Sequence, residues 1–90
     1  MELLIHKKVY NFLDKQFNGD PAGVRSIRKF LKEKLEPAEN PTALSNCKKI
    51  QGTKNTWRWR IKQYRIIGEV YKNELLIKII EISTRQDAYK

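Results

Sequence analysis

Trp57-Arg58-Trp59-Arg60-Ile61-Lys62 alternates apolar and cationic side chains without a break. A period of two marks a strand buried on one face, because successive side chains of an extended chain point to opposite sides. Trp57, Trp59 and Ile61 are therefore expected on a core. Arg58, Arg60 and Lys62 are expected in a line on the other face, with roughly 6.6 Å between neighbours. That spacing is of the order of the phosphate repeat in a nucleic-acid strand. Pairing with the following strand would bring Arg65 towards the same row.

Downstream, Tyr64 to Tyr71 and Leu75 to Ile82 read as two further strands joined by a tight connection at Lys72-Asn73-Glu74. The second of them is apolar at almost every position, which predicts a central place in the sheet. Upstream, the period is that of a helix. Val9, Phe12, Leu13 and Phe17 form one apolar stripe, and Val24, Ile27, Leu31 and Leu35 form another. Asn18-Gly19 stops the first helix, and Asp20-Pro21 supplies the N-cap and first residue of the second. Pro37 requires that helix to end by Glu36. Glu2 to Ile5 reads as a short first strand. The expected product is a single α+β domain spanning residues 1–90. A short N-terminal strand and a two-helix antiparallel hairpin pack on a small, mainly antiparallel sheet.

The 90 residues carry 19 Lys+Arg against 10 Asp+Glu, a formal charge of +9. Most of the excess lies in the second half, and no acid interrupts the run from Cys47 to Arg65. Ordinary solvated faces intersperse the two signs, so a run of this density points to an anion-binding surface and a polyanionic partner. The lone Cys47 cannot form an internal disulfide, and with the lone His6 it offers no zinc cluster. Cys47 reads as a small hydrophobe, His6 as structural, and no metal or other cofactor is expected. The apolar run Leu3-Leu4-Ile5 is too short for a signal peptide or a membrane span. A soluble protein of the reducing cytoplasm is expected, without a membrane partner.

There is no Gly-rich phosphate loop, nucleophile elbow or HExxH helix. One His and scattered carboxylates do not assemble a metal-hydroxide or Ser-His-Asp mechanism. Chemistry run by cations and phenols remains open, and RNA cleavage through its own 2′-hydroxyl is one such reaction. There the substrate supplies the nucleophile, and the protein positions the chain and stabilises charge on the phosphate. A basic module that binds RNA without cutting it is the plainer alternative.

The segment from Trp57 through Arg58, Trp59, Arg60, Tyr64, Arg65, Ile66 and Ile67 to Val70 resembles the strand pair of RelE/ParE-type toxins. The ending Ile82-Ser83-Thr84-Arg85-Gln86-Asp87-Ala88-Tyr89 resembles the closing motif of the same family. Asn40-Pro41 and Lys49-Ile50-Gln51-Gly52 also stand where that family has an Asn-Pro loop and a Lys-to-Gly motif. The resemblance implies a toxin of a bacterial type II toxin–antitoxin system, with the RelE-like branch favoured. Such a protein is a ribosome-dependent mRNA endonuclease silenced by a cognate antitoxin, touching operator DNA only through the antitoxin complex. Carried over by position, Arg58 and Arg60 hold the backbone and stabilise the transition state. Arg65 and Arg85 grip the scissile phosphate, and Tyr89 takes part in proton transfer or base positioning. Lys48, Lys49, Lys54 and Lys62 complete the basic surface as RNA- or ribosome-binding residues. A ParE-like inhibitor of DNA gyrase shares this fold and is the alternative.

Two departures stand out. RelE-type enzymes have lysines where this chain has Arg58 and Arg60, and arginine, with a pKa above about 12, clamps phosphate well but releases protons poorly. The family's common Gly-His before the closing arginine is Ser83-Thr84 here. Lys62 is the expected substitute donor on the cationic face.

Overall fold

The alternating segment forms strand β3, Thr56–Ile61, in a computed structural model that describes residues 1–84. Trp59 is fully buried, and Trp57 and Ile61 pack against the core beside it. A two-residue turn, Lys62-Gln63, leads into β4, Tyr64–Tyr71. The two strands are antiparallel, with Trp59 opposite Ile66 and Ile61 opposite Tyr64. In β4, Tyr64, Ile66, Gly68 and Val70 are buried, while Arg65, Ile67, Glu69 and Tyr71 face the other side and are half-buried. Gly68 leaves room for the indole of Trp59. A Cβ at that position would stand 3.0 Å from the indole Cζ3 and 3.2 Å from Ile79 Cδ1.

Strand β5, Leu76–Thr84, pairs antiparallel with β4. It is interior but not the middle strand that its apolar run suggests; β4 holds the centre and the short β1 covers the outer edge of β5. The register slips once: Ile67 stands opposite Glu81, whereas its neighbour Gly68 stands opposite Ile79. The extra residue, Ile80, is a β-bulge. Ile77 and Ile79 point to the core before it, and Ile82 does so after it. Without the bulge, strict alternation would have turned Glu81 and Ser83 inward.

Two short strands flank these three. β1, Glu2–Ile5, pairs parallel with β5 from Leu76 to Ile79. β2, Cys47–Lys49, pairs antiparallel with β3 and was not anticipated from the sequence. The sheet order is β1-β5-β4-β3-β2.

Helix α1, Lys7–Gly19, begins where His6 accepts a hydrogen bond from Lys8 N–H at its Nδ1, 3.0 Å away. The His6 N–H donates to Ile79 O, so this residue fixes the exit from β1. Asp20 ends α1 and starts α2, Pro21–Phe30. Its N–H donates to Gln16 O, and its carboxylate accepts from Gly23 N–H at 3.0 Å and from the Tyr64 hydroxyl at 2.6 Å. One residue thereby caps a helix and ties it to the sheet. A π-helical turn, Leu31–Leu35, carries the chain on from α2 to Glu36, where Pro37 prevents further helix.

Val9, Leu13, Val24, Ile27, Leu31 and Leu35 from the helices meet Trp59, Tyr64, Ile66, Ile77, Ile79 and Ile82 from the sheet. Each such side chain contributes roughly 1.5–3 kcal/mol on full burial. Trp59 also donates from Nε1 to Pro41 O at 3.0 Å, pinning the Asn-Pro loop to the core. The opposite sheet face carries no helix among the described residues.

The row of three cations is corrected at its end. β3 stops at Ile61, and Lys62 takes the turn's first central position with φ 53°. Chain reversal removes it from the alternation. Its charge acts instead on Asp20, on the helix side of the molecule.

Candidate functional site

Pairing of β2, β3 and β4 brings cations together on the helix-free face. Arg58 and Arg60 are two apart on β3. Lys48 stands directly opposite Arg58, and Arg65 directly opposite Arg60. Directly opposed residues of antiparallel strands share a face with Cβ atoms about 4.5–5.5 Å apart, and like charges there are destabilising. The fold contains two such pairs in succession. Arg58, Arg60 and Arg65 are each half-buried, and the Nε atoms of Arg60 and Arg65 are buried. Their guanidinium groups are thus set into the sheet surface rather than trailing in solvent, an arrangement suited to bidentate contacts with phosphate.

A cleft of about 530 Å³ opens beside this cluster. Arg65 and Ile67 line it from β4, Glu81, Ile82 and Ser83 from β5, and Lys8 and Phe12 from α1. It lies where β1 has left the sheet, so α1 supplies the wall that a fifth full-length strand would otherwise provide. Lys8 Nζ approaches Glu81 Oε1 to 3.6 Å. The sequence reading missed Glu81, Lys8 and Phe12 as site residues; the available signal was a single acid inside a mostly apolar strand.

Lys49 and Lys54, also expected on this surface, stand apart from the cluster. Lys49 lies on the helix side, its Nζ 6.0 Å from the centre of the Trp57 ring. Lys54 borders a separate hollow with Asn55, Trp57, Tyr71 and Lys72. Arg85 and Tyr89 lie outside the described residues. Trp57 and Trp59 are core side chains and take no part in the cationic face.

Two phenols have pKa values moved upward, away from what a base needs. Burial raises Tyr64, reinforced by its hydrogen bond to Asp20. Burial also raises Tyr71, whose hydroxyl donates to Glu69 at 3.1 Å. Burial pushes the Cys47 thiol up to about 11 against the lowering effect of Arg58, leaving it protonated and unreactive at neutral pH. Among the described residues no group of three or more His, Cys, Asp or Glu side chains could hold a metal ion. No helix there is long and apolar enough to cross a membrane.

The architecture has solved counterparts. The RelB–RelE antitoxin–toxin complex of Methanococcus jannaschii contains a chain 24% identical, matched over 96% of this chain and 94% of that one with a TM-score of 0.69. The toxin–antitoxin complex RelBE2 of Mycobacterium tuberculosis gives 15% identity, coverage of 92% and 95%, and a TM-score of 0.72. The archaeal RelE–RelB complex of Pyrococcus horikoshii OT3 gives 24%, 93% of both chains and 0.62. At these identities the likeness is one of fold. Among curated proteins, none matches the sequence. Residues 5–89 match the family described as the ParE toxin of the type II toxin–antitoxin system parDE. That match spans nearly the whole chain, both helices and all four strands from β2 to β5 included, and the chain therefore belongs to the ParE toxin family of the RelE/ParE superfamily.

Proposed function

We propose that this toxin is a ribosome-dependent mRNA endonuclease, held inactive by a cognate antitoxin. The reading rests above all on the four cations Lys48, Arg58, Arg60 and Arg65, packed across three strands of one sheet face as opposed like-charge pairs. An RNA phosphate placed among them would meet several cationic donors at once. RNA supplies its own nucleophile, so the protein's task is to orient the chain and stabilise the phosphorane-like charge, which fixed guanidinium groups do well. Arg85 and Tyr89 would complete the set, following the resemblance of the closing motif. The antitoxin is supported by the similar solved chains, which are the toxin halves of complexes with RelB. An acidic, amphipathic segment would suit the basic face.

The test is cleavage of message on programmed ribosomes by purified protein. Cuts within codons, sharply reduced by Arg65→Ala, are expected; folded protein that cuts no message would refute the proposal. A second reading, inhibition of DNA gyrase without RNA cleavage, draws on the family match being to ParE. A gyrase supercoiling assay separates the two.

A further inference from the structure

We propose that Glu81 is the base that takes the proton from the attacking 2′-hydroxyl. This inference rests on the endonuclease reading and supplies the step that its arginines perform poorly. Arginine does not give up its proton at cellular pH, and Tyr64 and Tyr71 are both shifted away from ionisation. Among the described residues, Glu81 is the one carboxylate lining the cleft that Arg65 also lines.

Its placement follows from the bulge at Ile80. Bulges re-aim the side chains that follow them, and this one turns Glu81 and Ser83 onto the face that bears the arginines. Arg65 stands opposite Ser83 and Ile67 opposite Glu81, so Arg65 and Glu81 are diagonal neighbours. Such pairs are about 7–8 Å apart, within reach of long side chains working on one group. A nucleotide whose phosphate lies on Arg65 would set its ribose over Glu81, with Phe12, Ile67 and Ile82 forming an apolar floor. Lys8 pairs with the carboxylate from the far side of the cleft, its Nζ 3.6 Å from Oε1, and so holds it at the cleft wall.

In the reaction, Glu81 accepts the 2′-hydroxyl proton as the 2′-oxygen bonds to phosphorus. The P–O5′ bond breaks, and its electron pair leaves with the 5′-oxygen, which takes a proton from water. The products are a 2′,3′-cyclic phosphate and a 5′-hydroxyl end.

Single-turnover cleavage on programmed ribosomes should fall about 10²- to 10⁴-fold in Glu81→Gln, the range for loss of a general base. Binding of a 2′-O-methyl message, which cannot react, should be unchanged or tighter because a negative charge is gone. Glu81→Asp, which keeps the carboxylate, should recover part of the rate. If wild type cuts and Glu81→Gln cuts within about threefold of it, the base assignment is overturned while the endonuclease reading stands. Parallel loss of cleavage and of binding would also overturn the assignment, by reducing Glu81 to a structural role. If wild type cuts no message, the endonuclease reading falls and the base assignment falls with it.

Discussion

Replacing Arg60 by Gln removes one charge from the opposed pair Arg60–Arg65 while keeping most of the side-chain stem. Four cations cluster on β2, β3 and β4 of this sheet face, Lys48, Arg58, Arg60 and Arg65. If each neutralises one phosphate of a single strand, the logarithm of the binding constant should fall with the logarithm of salt at a slope of about −2.8, from about −0.7 per phosphate. Without Arg60 the slope should be about −2.1. Between roughly 50 and 200 mM salt, wild type then loses about 50-fold in affinity and the variant about 18-fold. Fluorescence anisotropy of a labelled 2′-O-methyl oligonucleotide measures both slopes without cleavage. Lys32→Gln on the helix side is the control and should leave the slope at the wild-type value. A slope for Arg60→Gln equal to that of wild type, or an equal change in Lys32→Gln, would show that the cations act as diffuse charge and that the opposed pairs form no site.

Two further predictions concern the scaffold. Gly68→Ala places a Cβ 3.0 Å from the Trp59 indole and 3.2 Å from Lys78 O; overpacking of this kind costs about 1–3 kcal/mol, read as a lowered urea midpoint, and an unchanged midpoint would mean that the indole has room to move. The second concerns pH. The Tyr64 hydroxyl, then the Gly23 N–H, hold the Asp20 carboxyl below its ordinary 3.8, so its contribution is present above that value and is lost as pH falls through the lowered one. Burial and the same hydrogen bond raise the Tyr64 phenol above 10.0, so its contribution is present below that value and is lost as pH rises towards the raised one. Thermal midpoints across pH should therefore fall at both ends, and Asp20→Asn should flatten the acid limb; an acid limb unchanged in that variant would place its origin elsewhere.

The fold was legible wherever one residue's chemistry and its period agreed. Strict alternation from Trp57 to Arg60 assigned both faces of β3 correctly, because burial of two indoles admits no other register. Asp20-Pro21 marked the helix junction, since Asp and Pro favour adjacent N-terminal positions. Lys62 misled because alternation in sequence continues through a turn that reverses the chain in space. β2 escaped notice because Cys47-Lys48-Lys49 is too short to show a period, and it matters because it delivers Lys48 opposite Arg58. Glu81 was hidden for a different reason. A bulge is a register event between strands, invisible in one strand's pattern, and only the pairing of β4 with β5 reveals which side the acid faces.

The parallel pairing of β1 with β5 has a consequence for when the molecule can assemble. Glu2 meets Leu76, and Ile5 meets Ile79, so the strand made earliest docks on the strand made latest among those described. Helices form from local contacts and are quick, whereas a pairing this distant in sequence must await the far partner and close a long loop. During synthesis α1 and α2 can fold as a hairpin, but Ile77, Ile79 and Ile82, which fill their apolar stripes, arrive only with β5. The cationic face gains its Ser83 and Glu81 border at the same moment. A nascent chain of this design completes both its core and this cationic face only when nearly all of the described sheet has emerged.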